Sequence, residues 1–334
     1  QHRRRLRQTL AALSSPGTPT PAAATAAADT LLVEVDDEGI AVITINRPEA
    51  KNAFTFAMSE AFNDAFLTLG DDPKAGPASP IASRFAAKLT WRWRQVRVII
   101  VTGSGDSFCT GTDLKELNNT APEARFRGEG RPEFEEAEKE RPKPPPELAR
   151  WWFINQCPKP VICALNGMAV GMGAEFVTMC DVRILSTEAR VNWIFGKRGL
   201  VPDTGAGSWL LPHIVGYPNA LRLLFTAEFF GADHLKEIGF AHEVVAHGEL
   251  MEAAKAEARR YLDSSPLALS MMKRLTYLGL ERTVAEHMET HLEMMKVCFA
   301  SADHHEGVAS FIERRPAVFT GAVPDIAKDL KVGR

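Results

Sequence analysis

The chain has 334 residues, 45% hydrophobic and 24% charged, which is long enough for one large core or for a core with an appended domain. Its formal net charge of -3 provides no overall basic field for nucleic acid, and no apolar run approaches the ~20 residues that a membrane span needs. Five scattered cysteines without a Cys-x-x-Cys pair indicate reduced, mostly buried thiols in an intracellular protein.

Residues 1–30 differ in composition from the rest of the chain. Four arginines fall within the first seven residues, a run rich in Ala, Ser, Thr and Pro follows, and the first acidic residue is Asp29. Organelle transit segments and disordered bacterial extensions both have this composition. We predict a disordered or loosely attached arm on a cytoplasmic protein, or on an organellar matrix protein if the arm is a transit segment.

Hydrophobic alternation begins at Leu31 and predicts a β-hairpin that turns at residues 36–39 and ends at 46–48. The spacing of apolar residues over 55–69 then predicts a helix. Two insertions are predicted near 72–94 and 118–146. In the first, Arg84, Lys88 and Arg92 form a basic stripe, which is either a surface for RNA or an acidic partner, or the solvated face of a packed helix. The second reads as a long exposed loop or a lid.

Two segments share the pattern of a buried strand, a turn of small residues and a helix. One begins with the β-branched run at 98–101 and leads through glycines to Leu114; the other begins at Pro160 and leads through Gly171 to a helix with Glu175 in its first turn. Because the first N–H groups of a helix are free, two such turns could hold one developing oxyanion. The alternative is that both are ordinary strand-to-helix turns.

The C-terminal part is predicted to be almost entirely helical, with helices near 217–226, 232–239, 249–264, 266–280, 283–300 and 303–314. From residue 266 onward these helices are more apolar than a lone helical tail should be, which predicts association with further copies of the chain. The apolar residues in question are Leu267, Met271, Met272, Leu275, Leu292, Met295 and Val297. The sequence shows no internal repeat and no metal-ligand spacing.

The order of five motifs resembles that of the crotonase (enoyl-CoA hydratase/isomerase) superfamily. They are NRP at 46–48 with KNA at 51–53, VIIVTG at 98–103, FCTGTDL at 108–114, the segment from KPVI at 159–162 to CD at 180–181, and GLVPD at 199–203. The resemblance covers roughly residues 31–320 apart from the insertions. It implies an α/β fold, a crotonase-like spiral of ββα units over 31–265 with a C-terminal helical trimerisation region over 266–334, forming homotrimers or dimers of trimers.

The resemblance also implies an acyl-CoA thioester as substrate, with coenzyme A as part of the substrate and no other cofactor or metal. The backbone N–H groups of Thr112 and Met172 would hold the thioester oxygen as an enolate. No membrane or nucleic-acid partner is expected. The residues implied to bind CoA or substrate are Ala50, Lys51, Asn52, Ala53, Gly111, Asp113, Leu114, Gly171 and Phe195.

The carboxylates decide which reaction the resemblance favours. Hydratases use two glutamates; Glu175 matches the first, but Phe195 occupies the position of the second. Asp203 matches the acidic position of an enoyl-CoA isomerase branch that acts on ring-opened phenylacetate-type substrates, of dienoyl-CoA isomerases and of aryl-CoA dehalogenases. We therefore predict an enoyl-CoA isomerase in which Asp203 is the main acid/base and Glu175 a second base or polar anchor.

Several alternatives remain open at this point. On the same fold, the chain could be a hydratase, a thioester hydrolase or a dehalogenase, or a non-catalytic homologue that binds acyl-CoA or RNA. From the residues alone, Asp203 could cap the helix that follows it, and Glu175 could interact only with its own helix dipole.

Overall fold

The computed structural model describes residues 30–70, 95–119 and 153–325. The predicted N-terminal arm up to residue 29, the insertion at 72–94 with its basic stripe, and the second insertion beyond residue 119 lie outside the described residues. The C-terminal residues 326–334 also lie outside them.

Ten short strands form two sheets within the described residues. They are β1 (Leu31–Val35), β2 (Ile40–Ile45), β3 (Val98–Gly103), β4 (Ser107–Cys109), β5 (Val161–Leu165), β6 (Met168–Val170), β7 (Val182–Ser186), β8 (Arg190–Asn192), β9 (Phe230–Gly231) and β10 (Glu243–Val245). One sheet has the order β1-β2-β3-β5-β7-β10, and the other has the order β4-β6-β8-β9. The predicted hairpin is the antiparallel pair β1–β2, and the strands that follow in the larger sheet pair in parallel.

The two predicted strand–turn–helix segments differ from the structure in one respect. Each turn leads first into a short strand of the smaller sheet, β4 or β6, and only then into a helix. Asn166 explains the compact turns, because its side chain accepts from Gly103 N at 3.1 Å and donates to Gly105 O at 2.9 Å and Ser107 O at 3.2 Å. The repeated unit is therefore strand, turn, strand and helix.

The helices of the described residues connect the strands and form the C-terminal part. They are α1 (Phe56–Leu69), α2 (Leu114–Asn118), α3 (Phe153–Gln156), α4 (Met172–Met179), α5 (Ala206–Val215), α6 (Tyr217–Thr226), α7 (Ala232–Glu237), α8 (Leu250–Leu262), α9 (Pro266–Leu278), α10 (Val284–Phe299) and α11 (Ala302–Glu313). Helices α6 to α11 occupy the six predicted positions. Ser265 caps α9 by accepting from Ala268 N at 3.2 Å, and Pro266 follows at the first helical position, as expected.

Both faces of the six-stranded sheet are buried. The larger core lies between the sheets and contains α1 and α4, with Phe54, Phe62 and Phe176 in mutual ring contact at 5.2–5.4 Å. On the opposite face, Ile100 and Ile162 pack under α8. Burial of an Ile side chain contributes roughly 1.5–3 kcal/mol, so helix α8 is held mainly by this apolar contact.

Helix α9 is attached to the core by a partly buried polar cluster. Asp181, just before β7, accepts from Lys273 Nζ at 2.7 Å and from the Tyr277 hydroxyl at 2.8 Å. The sequence predicted that apolar residues of the C-terminal helices would contact further copies of the chain. Two of these residues, Leu267 and Val297, are instead buried within the chain itself. Met272, Leu292 and Met295 are exposed, at 53%, 54% and 39%, and so are Phe311 and Ile312 of α11, at 85% and 73%.

Candidate active site

The two segments that carry Thr112 and Met172 lie side by side. A Cβ atom placed on Gly111 would lie 3.7 Å from the backbone nitrogen of Met172, and Thr112 Oγ1 lies 4.0 Å from Met172 Sδ. Thr112 forms a parallel β-bridge with Phe54, but the two hydrogen bonds of this bridge involve the carbonyl of Gly111 and the N–H of Asp113. Met172 is the first residue of α4. Among the described residues, neither N–H has a hydrogen-bond partner. Both are therefore available to a ligand.

Close approach of backbone to backbone requires glycine at this site. A Cβ on Gly173 would lie 2.1 Å from the carbonyl oxygen of Cys109, so α4 can approach β4 only without a side chain there. Gly171, which precedes the helix, has φ 55, a conformation that L residues rarely adopt. The small residues identified in the sequence thus have a steric cause.

Glu175 is completely buried one helical turn after Met172. Its Oε2 accepts from the Thr204 hydroxyl at 2.8 Å and from the backbone N–H of Gly207 at 3.0 Å. Its Oε1 has no hydrogen-bond partner among the described residues. Burial raises the pKa of Glu175 to about 8, the donors from Gly207 and Thr204 oppose that rise, and the nearby charge of Asp203 adds to it. The carboxyl is therefore mainly protonated at neutral pH.

Asp203 lies on the loop before α5, close enough to Glu175 for its charge to act on that carboxyl. Helix α5 has Gly205 at its N-cap, so Asp203 does not cap it. Solvent reaches Asp203, but the surrounding protein removes part of its hydration and raises the pKa of its carboxyl to about 6. Its charge raises the pKa of Glu175 and also contributes to that of the buried Cys109 thiol. Asp203 is the carboxylate of this region that is ionised at neutral pH.

Phe195 supplies an apolar surface beside the free N–H groups. It is 5% exposed, and its Cζ lies 4.0 Å from the position that a Cβ on Gly171 would take. It belongs to a short 3-10 helix, Ile194–Arg198, which ends at Gly199 with φ 67. A polar partner for a water molecule is thus missing at the position that the resemblance assigns to the second hydratase carboxylate.

The predicted CoA-binding loop at 50–53 packs against the predicted segment 111–114. Arg47 joins them, since its Nη1 donates to Ala53 O at 3.0 Å and to Asp113 Oδ2 at 2.7 Å. Asp113 also caps α2. Asn52 is buried, and its side chain binds the backbone of Arg47, Ser104 and Ser107. The side chain of Asn52 therefore fixes the loop at 50–53 to residues 104–107, and Arg47 joins that loop to Asp113. These side chains are occupied, which leaves backbone groups and exposed residues to meet a ligand.

The exposed positions of the same two segments are Lys51 in the loop and Leu114, which is 68% exposed at the start of α2. Lys51 has φ 51 and its carbonyl accepts from Thr110 Oγ1 at 3.0 Å. Ala50, Ala53 and Gly111 contribute little side-chain surface, so a ligand that follows these segments would meet mainly backbone.

Three residues of the site received no role from the sequence. Arg47 stood in a motif whose function the pattern did not reveal, and Thr204 and Gly207 are far from Glu175 along the chain. The closest available signal was the small-residue run at 204–208, which permits close approach but identifies no partner. Their contacts depend on the tertiary fold.

No group of three or more His, Cys, Asp or Glu side chains is arranged to hold a metal ion in the part of the chain that the structure describes. A search of the same residues finds no helix of sufficient length and apolar character to cross a membrane.

Comparison with known proteins identifies the family. The sequence profile of the Enoyl-CoA hydratase/isomerase family matches residues 91–322. The chain belongs to this family. The predicted membership of the crotonase superfamily is thereby confirmed, and the chain belongs to a family of crotonase-type enzymes.

Relatives in this family carry both activity names. The chain is 32% identical to a crotonyl-CoA hydratase of Syntrophomonas wolfei, over 85% of this chain and 95% of that protein. It is 27% identical to a 1,2-epoxyphenylacetyl-CoA isomerase of Escherichia coli, over 85% and 96% of the two chains. The crystal structure of an enoyl-CoA hydratase from Mycobacterium tuberculosis superposes with a TM-score of 0.69 at 29% identity, covering 88% of this chain and 100% of that one. The predicted fold class is confirmed.

Proposed function

We propose that the chain is an enoyl-CoA isomerase, which moves the double bond of a 3-enoyl-CoA to the 2-position. The observation that carries the proposal is the buried Phe195 ring beside Gly171, where a hydratase would need a second carboxylate. Hydration requires a water molecule held between two polar groups, whereas isomerisation requires only a proton carrier and a stabilised enolate. Asp203 would be the proton carrier, and the free backbone N–H groups of Thr112 and Met172 would stabilise the enolate. Phe195 leaves no polar partner for a water molecule.

The ionisation states suit this division of roles. Because the pKa of Asp203 is about 6, its carboxylate is a base at neutral pH, and because the pKa of Glu175 is about 8, its carboxyl is an acid there. Loss of hydration is the largest cause of both shifts, complete for the buried Glu175 and partial for Asp203, which solvent still reaches. A base near neutrality can both accept and return a proton without a large free-energy cost.

The proposed reaction proceeds through a dienolate. The Asp203 carboxylate removes a proton from C2 of the 3-enoyl-CoA, and the electron pair of the broken C–H bond is delocalised onto the thioester oxygen. The backbone N–H groups of Thr112 and Met172 donate to that oxygen. A donor of this kind typically stabilises the transition state by about 3 kcal/mol. Return of the proton from Asp203 to C4 restores the thioester carbonyl and forms the 2-enoyl-CoA.

The substrate is an acyl-CoA thioester, and coenzyme A enters only as part of it. The loop at 50–53 and the segment 111–114 are proposed to lie along the CoA portion, because Arg47 holds them together beside the free N–H of Thr112. Phe195 would face the acyl chain. Glu175 serves as a polar anchor or second acid at the side of α4.

Substitution of the two carboxyls tests the assignment. We expect Asp203→Asn to abolish conversion of 3-enoyl-CoA to 2-enoyl-CoA, and Glu175→Gln to reduce it less. Asp233→Asn, at an exposed aspartate in the first turn of α7, is the matched control and should leave the rate unchanged. Full isomerase activity in Asp203→Asn would show that the proton is carried by Glu175 or by another group.

Hydration of a 2-enoyl-CoA is the second candidate. Two observations favour it: Glu175 has a free oxygen, and a relative 32% identical is named a crotonyl-CoA hydratase. In that case Glu175 would activate the water, so Glu175→Gln rather than Asp203→Asn would abolish turnover. The same two variants therefore separate the candidates.

We also propose that the chain forms a homotrimer or a dimer of trimers through its C-terminal helices. The support is the exposed apolar surface of α9, α10 and α11, which includes Met272, Leu292 and Phe311. Light scattering at micromolar concentration should give three or six times the chain mass of 36.7 kDa. A monomer under these conditions would refute this assembly.

A further inference from the structure

The buried polar atoms near the candidate site that lack partners among the described residues include Oε1 of Glu175 and the indole nitrogen Nε1 of Trp193. Both residues are completely buried. A buried polar group without a hydrogen bond costs about 1–3 kcal/mol, so two of them together need an explanation.

Gly207 shows that these two atoms belong to one place. A Cβ atom on Gly207 would lie 2.5 Å from Glu175 Oε1 and 3.2 Å from Cδ1 of Trp193, the ring carbon bonded to Nε1. The N–H-bearing edge of the indole and the free carboxyl oxygen therefore flank the same glycine. Any side chain at 207 would separate them, which gives this glycine a steric role in the site.

The chemistry of the two groups is complementary. An indole N–H can only donate, and an ionised carboxylate can only accept. Oε2 of Glu175 already has two donors, from Thr204 and Gly207, so only Oε1 needs another one when the carboxyl is ionised. In the neutral acid, Oε1 carries the proton and is itself a donor, so the indole N–H gains little by approaching it.

We propose that the indole N–H of Trp193 donates to Oε1 of Glu175 whenever that carboxyl is ionised, and that Trp193 is thus a positioning residue for this acid. Its importance for turnover rests on the proposed function of Glu175 as an acid in the site. The two atoms form no hydrogen bond in the structure; in the ionised state a side-chain rotation brings them together. Trp193 thereby limits how far burial disfavours the charged form.

Few other titratable or charged groups lie close enough to influence the pKa of Glu175. Asp203 faces it from the loop before α5, and the Cys109 thiol lies on β4, against which α4 packs; the pKa of this thiol is about 12, so it remains neutral. On the far side of Trp193, Phe240 packs edge-on at 5.3 Å, and the guanidinium of Arg183 lies 5.1 Å from that ring. Burial lowers the pKa of Arg183, but arginine is not deprotonated in proteins, so its charge does not change with that of Glu175.

Indole N–H resonances measured by NMR on the 334-residue chain, labelled with ¹⁵N-tryptophan, test the contact without requiring turnover. In wild type, one resonance should move downfield as the pH rises from 6 to 9.5, with a midpoint near 8, and it should be absent from Trp193→Phe. In Glu175→Gln the same resonance should not move around pH 8. A resonance of Trp193 that does not titrate, or that titrates equally in Glu175→Gln, overturns the proposal.

The pH dependence of isomerase turnover provides the second readout. Trp193→Phe keeps an aromatic ring but removes the donor, so the alkaline midpoint of kcat/KM should move up by about one pH unit. Phe240→Leu is the packing control; it should lower the Tm without moving that midpoint. An unchanged midpoint in Trp193→Phe contradicts the role in turnover. If no isomerisation is found at all, the proposed function fails, while the NMR titration still decides the contact.

Discussion

The buried carboxyl of Glu175 should make the stability of the protein depend on pH in a predictable direction. Its pKa is about 8 in the folded chain against 4.5 for the unperturbed group, so the folded state holds the proton that the unfolded state releases. The folded state binds more protons between these two values, and the free energy of unfolding therefore falls as the pH rises through that range. Glu175 destabilises the fold when it is forced to ionise.

The magnitude follows from the two pKa values. Over the full interval the loss approaches about 5 kcal/mol, since each pKa unit corresponds to about 1.4 kcal/mol. Between pH 6 and pH 9 the share of Glu175 alone is about 3 kcal/mol. Asp203 adds little in this window, because above pH 7 its carboxyl is ionised in both states, and its exposure to solvent reduces its effect further.

Urea unfolding at pH 6, 7, 8 and 9, at one protein concentration, measures this dependence in wild type and in Glu175→Gln. The glutamine does not ionise, so its free energy of unfolding should fall by about 3 kcal/mol less over the same range. Taking the difference between the two proteins removes the pH-dependent contributions of the buried cysteines and of every other titratable group that they share. Equal slopes in wild type and Glu175→Gln would refute the assignment of a neutral, buried acid at this position.

Three further predictions concern the remaining parts of the site. Thr112→Pro removes one backbone donor and should lower turnover on the order of a hundredfold, whereas Thr112→Ala, which keeps the N–H, should retain most of it; equal loss in both would contradict the oxyanion role. Gly173→Ala places a Cβ against the Cys109 carbonyl, which cannot move aside easily, and should lower the free energy of unfolding by about 1–3 kcal/mol or more in chemical denaturation; unchanged stability would mean that α4 can shift. Phe195→Glu introduces the missing carboxylate and should raise the ratio of the hydration rate to the isomerisation rate about tenfold. Phe195→Leu should leave this ratio unchanged. An unchanged ratio in Phe195→Glu would show that Phe195 does not select the reaction.

Much of the fold could be predicted because its signals are local. The alternation over 31–45 identifies the hairpin, and the Ser265–Pro266 pair identifies the start of α9. The three-residue strands β4, β6 and β8 could not be predicted, since they are too short to show a period and depend on tertiary pairing within the smaller sheet. Their pairing also separates each glycine turn from the helix that follows.

The candidate site was predictable to a different degree. The positions of Thr112 and Met172 followed from glycine turns and from family motifs, and the structure brings these two residues together. The environment of Glu175 was not predictable, because its donors from Thr204 and Gly207 come from residues 29 and 32 positions away. The neutral state of Glu175 depends on burial, which no local pattern reveals.

The most direct test of the proposed isomerase measures two reactions of the wild-type protein with the same acyl chain. One assay follows conversion of the 3-enoyl-CoA to the 2-enoyl-CoA, and the other follows loss of the 2-enoyl-CoA by hydration. Because Phe195 leaves a water molecule without a second polar partner, kcat/KM for isomerisation should exceed kcat/KM for hydration by at least about tenfold. Faster hydration than isomerisation would contradict the central claim and would assign the chemistry to Glu175.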